Sequence, residues 1–211
     1  MKTNKTELVF ILDRSGSMGG LEADTIGGYN AMLARQKQEP GEAFVTTVLF
    51  DDRYELLHDR VPLQQVQPIT DHDYYVRGCT ALLDAMGRTI LQVERQAEQA
   101  DKVLFVITTD GMENASREFS VQRVRKMVEA HQKKGWEFLF LGANIDAIST
   151  AGQFGIGADK AVNYHADHAG TALNFEVVTE AITHVRSCAA PLTGSWKKRI
   201  EEDFESRDSH R

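Results

Sequence analysis

Five oxygen-bearing side chains in this sequence could do chemistry together. The stretch ILDRSGSMGG ends an apolar run in Asp13 and follows it with two hydroxyls at two-residue spacing, Ser15 and Ser17. A turn needs one such residue, so three in five positions ask for another purpose. Thr80, in GCTALLDA, adds a third hydroxyl, and Asp110, in TTDG, adds a second carboxylate. No His or Cys spacing suggests zinc. Two carboxylates and three hydroxyls are hard donors that suit an octahedral divalent ion, Mg²⁺ or Mn²⁺, provided the three segments converge.

The elements that must position them can be read from the apolar pattern. ELVFIL (7–12) is a continuous apolar run of the kind buried on both faces of a sheet. AFVTTVLF (43–50) and YELLH (54–58) flank the polar Asp51-Asp52-Arg53, which predicts a hairpin whose second strand is an antiparallel edge. KVLFVITT (102–109), WEFLFLG (136–142) and KAVNY (160–164) complete six strands. Helices are predicted over 20–38, over 80–99 with Thr80 as its cap, from Ser120 to a stop before Gly135, briefly in IDAISTAGQFG, and over 168–189. Gly27 and Gly28 inside the first helix cost ~1 kcal/mol each relative to Ala, which close packing against a neighbour would explain. Residues 194–211, GSWKKRIEEDFESRDSHR, read as a charged, mobile tail on a domain of residues 1–193. Strands alternating with helices predict a three-layer, doubly wound α/β sheet of six strands, mostly parallel. Ligands in such sheets bind beyond the carboxyl ends of the strands, where strand order reverses. Asp13 and Asp110 both end strands, and a reversal between those strands makes them neighbours.

DRSGSM, GCTALLDA and TTDG resemble the metal-ion-dependent adhesion site of the von Willebrand factor type A family. Its pattern is Asp-x-Ser-x-Ser, a distant Thr, and an Asp ending a later strand; Asp13, Ser15, Ser17, Thr80 and Asp110 occupy all five positions, and the resemblance extends over roughly residues 6–186. It implies a Rossmann-like fold and a non-enzymatic, Mg²⁺-dependent module. In that scheme the serines ligate the ion directly, and Thr80 and the aspartates do so directly or through water. One coordination position stays open for a Glu or Asp carboxylate of a protein partner. An ion held largely by neutral hydroxyls keeps positive charge for such an anion. Intracellular members imply an alternative role as an accessory or regulatory subunit of an ATPase or stress-response complex. A metal-dependent hydrolase is the remaining alternative, and it needs a base that the sequence does not nominate.

Composition narrows the partners. The chain has 211 residues and a net charge of −7, which argues against nucleic acid and anionic membrane as general partners. QRVRKMVEAHQKKG (122–135) is the basic exception and reads as a solvated helix face. The amino-terminal apolar run is too short for a signal-peptide core, and no stretch approaches a membrane span, so the cytoplasm is expected. Cys79 and Cys188 read as small buried thiols. Arg14 reads as a surface arginine, Asp84 as either a brace for the Thr80 loop or a solvated carboxylate, and Glu113 as a loop residue. His165 and His168 lack a Gly-x-Ser-x-Gly elbow. Ser15 replaces the second Asp of a phosphotransfer Asp-x-Asp, and no phosphate loop with a lysine is present.

Overall fold

The computed structural model describes residues 5–97, 100–187 and 190–208. Its elements are β1 (Lys5–Asp13), α1 (Glu22–Gln36), β2 (Glu42–Phe50), β3 (Tyr54–Pro62), α2 (Leu82–Gln96) and β4 (Lys102–Thr109), then α3 (Val121–Gln132), β5 (Glu137–Gly142), α4 (Ala147–Gln153), β6 (Ala161–Asn163), α5 (His168–Ser187) and α6 (Lys198–Asp208). The strands form one sheet in the order β3-β2-β1-β4-β5-β6. All neighbours are parallel except β3, the antiparallel edge.

β1 shows why the sheet lies inside. Leu8, Phe10 and Leu12 face a core shared with Tyr29 and Met32 of α1 and Val178 and Ile182 of α5. Val9 and Ile11 face the opposite core, with Met86 and Ile90 of α2, Val124 of α3 and Ala151 of α4. A strand with both faces covered reads as an unbroken apolar run. The chain leaves β1 for β2 on one side and resumes at β4 on the other, so the crevice between β1 and β4 is the switch point. One member of the glycine pair is explained by packing. A Cβ on Gly28 would stand 2.2 Å from the Phe175 ring of α5, whereas one on Gly27 would meet nothing within 4 Å.

Residues 194–208 correct the expectation of a mobile tail. They form a short 3₁₀ turn (Gly194–Lys197) and then α6. The Trp196 indole donates to the Asp159 carbonyl at 2.9 Å, and Lys197 Nζ to the Ala161 carbonyl of β6 at 2.9 Å. Ile200 is buried, and Phe204 stacks on His165 at 4.5 Å. The helix thus packs along the short strand β6. Among the described residues no helix is long and apolar enough to cross a membrane. Cys188 lies outside the described residues.

Candidate metal centre

The first of the three converging segments starts where β1 ends. Asp13 Oδ1 accepts from the Ser15 amide at 2.7 Å, which bends the chain at once and aims both serines back over the strand end. Its Oδ2 accepts from the Thr109 hydroxyl at 2.6 Å, across the β1–β4 boundary. The Ser15 and Ser17 hydroxyls are 3.1 Å apart, and Ser17 Oγ donates to Asp110 Oδ1 at 2.5 Å. Asp13, Ser15, Thr80 and Asp110 are buried, while Ser17 faces solvent and leaves one side open.

The Thr80 loop is laid directly along this segment. Tyr74 donates its phenol to the Asp13 carbonyl at 2.5 Å. The Arg77 amide reaches the Arg14 carbonyl at 2.9 Å, and the Gly16 amide the Gly78 carbonyl at 3.2 Å. Behind Thr80, Asn114 clamps the backbone, accepting the Thr80 amide on Oδ1 at 2.9 Å and donating its own amide to the Thr80 carbonyl at 3.0 Å. Gly111 marks where the groups meet. A Cβ there would lie 2.8 Å from Thr80 Oγ1 and 3.2 Å from Ser17 Oγ. The structure brings the five sequence-nominated residues into one cluster.

Thr80 does not cap α2, contrary to expectation. Ala81 holds the cap position and contributes no side-chain bond. Glu113 accepts from the Leu83 amide at 2.9 Å and Ser116 Oγ from the Asp84 amide at 3.0 Å, so the loop after β4 caps the helix. The Glu113 carboxylate also answers the positive end of the helix dipole beside a would-be cation site.

Burial dominates the electrostatics. It pushes the Asp13 carboxyl up to about 6, against the hydrogen bonds from Thr109 and Ser15 that favour its ionised form. It raises Asp110 too, opposed by the Ser17 bond. Neither carboxylate pairs with a Lys, Arg or His among the described residues, and Asp110 Oδ2 is buried without any hydrogen-bond partner. Two buried anions without a cation are costly, and an orphaned oxygen on a carboxylate whose other oxygen is held by Ser17 fits a missing positive charge. No group of three or more His, Cys, Asp or Glu able to hold a metal occurs among the described residues. The donors gathered here, two carboxylates and three hydroxyls, are all oxygen, which suits a hard ion rather than a thiolate or imidazole site.

Several neighbours differ from their sequence reading. Arg14 is fully buried, with Nε 3.1 Å from Asp51 Oδ2 and Nη2 2.6 Å from Glu55 Oε2. Asp84 accepts from the amides of Arg117, Glu118 and Phe119, so it orders the 117–119 loop and does not brace Thr80. Cys79 is exposed rather than buried. His168 Nδ1 lies 2.5 Å from Asp24 Oδ1. On the basic helix, Arg125 pairs with Glu129, and just beyond it Lys134 pairs with Glu94. Sequence reasoning missed Thr109 and Asp51. Asp51 had a readable signal, since it directly follows the buried strand β2 much as Asp13 ends β1.

No protein-family model matches the sequence, and no curated protein does. Solved structures do. The von Willebrand factor domain of the type V pilus tip protein Mfa5 from Porphyromonas gingivalis superposes with a TM-score of 0.67 at 10% identity, over 91% of this chain and 99% of that one. Proximal thread matrix protein 1 from the mussel byssus, in a structure with a zinc-occupied adhesion-site motif, gives 0.63 at 16% identity over 86% of this chain. A von Willebrand factor type A protein from Catenulispora acidiphila gives 0.56 at 15% identity over 84% of this chain. The chain spans about half the length of the mussel protein (46%) and of the Catenulispora protein (42%).

Proposed function

We propose that this chain, built on the von Willebrand factor type A fold, is a binding module that holds Mg²⁺ or Mn²⁺ through Asp13, Ser15, Ser17, Thr80 and Asp110. The ion would present a coordination position to a Glu or Asp carboxylate of a partner protein. The observation that carries this reading is Asp110 Oδ2, buried and unbonded, on a carboxylate that Ser17 joins to the hydroxyl cluster and that lies close enough to Asp13 to oppose its charge. When bound, the ion supplies positive charge to an incoming anion. The chain's own residues do the rest. Asp13 and Asp110 provide the negative charge that attracts a cation, and the hydroxyls add oxygen donors without neutralising it further. Thr109 and Tyr74 hold Asp13 in place, and Asn114 holds Thr80.

Binding rather than catalysis is supported by the immediate surroundings. Among the described residues, the Ser17 and Thr109 hydroxyls are the side-chain partners of the two carboxylates. The pilus and byssus proteins that share the fold are consistent with a protein partner. We place the module in the cytoplasm, a reading supported by the exposed free thiol of Cys79, which a reducing compartment preserves.

Crystals grown with MnCl₂ and acetate test the proposal. One anomalous peak in contact with Ser15 Oγ and Ser17 Oγ, with acetate or water completing its shell, is expected. A manganese peak elsewhere, with none at these hydroxyls, overturns it.

A further inference from the structure

Asp51 is fully buried, directly follows β2, and belongs to none of the five ligand positions. Its Oδ2 accepts from Arg77 Nε at 2.6 Å and from Arg14 Nε at 3.1 Å. Its Oδ1 accepts the Arg53 amide at 2.7 Å, which closes the β2–β3 turn. Its carbonyl accepts the amide of Ala81, the residue after Thr80, at 2.9 Å. Arg14 stands between Asp13 and Ser15, and Arg77 stands three residues before Thr80. One carboxylate therefore ties the Asp13–Ser17 loop to the Thr80 loop. The approach is close. Gly78 has φ +65°, and a Cβ on it would stand 2.1 Å from Asp52 Oδ1 and 3.5 Å from Asp51 Cβ. Glu55 of β3 takes the far end of Arg14 at 2.6 Å, so the edge hairpin is anchored to the same device.

We infer that the Arg14–Asp51–Arg77 clamp is a positioning element of the metal centre, helping to fix the distance between Thr80 and the two serines. The inference rests on the metal reading proposed above. Side chains that orient ligands without touching the ion commonly govern affinity by tenfold or more. The alternative is that Arg77 acts on the site only as a nearby charge, and the two ideas predict opposite signs. Removing a cation beside a cation site tightens metal binding by Coulomb's law. Releasing a positioning clamp weakens it.

The test is calorimetric Mg²⁺ titration of the full chain and of its Arg77→Gln and Asp51→Asn variants, with amide exchange followed over residues 77–81 in chelator. Arg77 is partly exposed, so Arg77→Gln should fold even if the buried Asp51→Asn change does not. The expected result is Mg²⁺ affinity lower by about tenfold in Arg77→Gln, with faster exchange of the 77–81 amides. Affinity equal to or tighter than wild type overturns the clamp, even if exchange quickens. If wild-type protein itself binds no Mg²⁺, the metal reading fails and the clamp's role fails with it. If wild type binds and Arg77→Gln binds equally well, the clamp alone fails.

Discussion

Ser17 donates its hydroxyl hydrogen to Asp110 across 2.5 Å, joining residues 93 positions apart. The bond spans the place where strand order reverses, between the loop after β1 and the end of β4. It engages one oxygen of Asp110 and leaves the other buried and unmet. The same boundary is crossed by the bond from Thr109 to Asp13, so each carboxylate is held from the opposite strand end. Side chains fixed in this way would need little reorganisation to take up an ion.

Asp110→Asn separates the electrostatic from the structural role of that carboxylate. Burial disfavours the charged form, so the neutral isostere should unfold in chelator at the wild-type temperature or a few degrees above it. Millimolar Mg²⁺ should stabilise wild type and leave the variant unmoved. Thermal melts with and without Mg²⁺ check this, and a variant that still responds to Mg²⁺ would remove Asp110 from the site.

Proton linkage gives a second prediction. Asp13 is raised in the folded state to about 6 from 3.8, so between these values the folded chain holds more protons than the unfolded one. Its contribution to stability in chelator is therefore greatest below about pH 4, declines through about pH 6, and then stays flat. A divalent ion requires the ionised carboxylate, so Mg²⁺ should stabilise the protein at pH 7.5 and lose its effect at about pH 4.5. Saturation at a hundred times the dissociation constant corresponds to about 2.7 kcal/mol. Melts across pH, with and without Mg²⁺, would show the two curves converging in acid. Parallel curves would contradict the linkage.

Gly111→Ala probes the space the ion would occupy. Its methyl would crowd Thr80 Oγ1 at 2.8 Å and Ser17 Oγ at 3.2 Å. Metal binding should fall by at least about tenfold, with chelator-state stability lower by about 1–3 kcal/mol from the crowding. Titration and urea unfolding measure both quantities. Unaltered affinity would place the ion away from these hydroxyls.

Ile200→Ala tests whether α6 belongs to the folded core. Ile200 is 1% exposed and packs with the α1–α5 layer. Its truncation should cost about 2–4 kcal/mol in urea unfolding. A change within about 0.5 kcal/mol would return residues 194–208 to the status of an appendage.

How much of this the sequence disclosed follows from the range of each signal. Apolar runs report burial locally, so β1, β4 and β5 are legible within a residue or two, and Asp13 and Asp110 are seen to end strands. Convergence of Thr80 on them follows from a motif resemblance, not from periodicity. Arg14 misleads because a buried guanidinium needs partners, and Asp51 and Glu55 lie 37 and 41 positions away. The Thr80 cap fails for a related reason, since Glu113 and Ser116 supply it from another loop. The α6 segment was readable in principle. Trp196, Ile200 and Phe204 recur every four residues, a helical stripe hidden by nine charged residues among 194–208.

The most direct measurement is Mg²⁺ titration by calorimetry of chelator-stripped protein against its Asp13→Asn variant at pH 7.5. The account predicts a single site in the wild-type chain, lost or weakened at least about a hundredfold in the variant. Identical isotherms for the two proteins, or no heat from either beyond dilution, would contradict it.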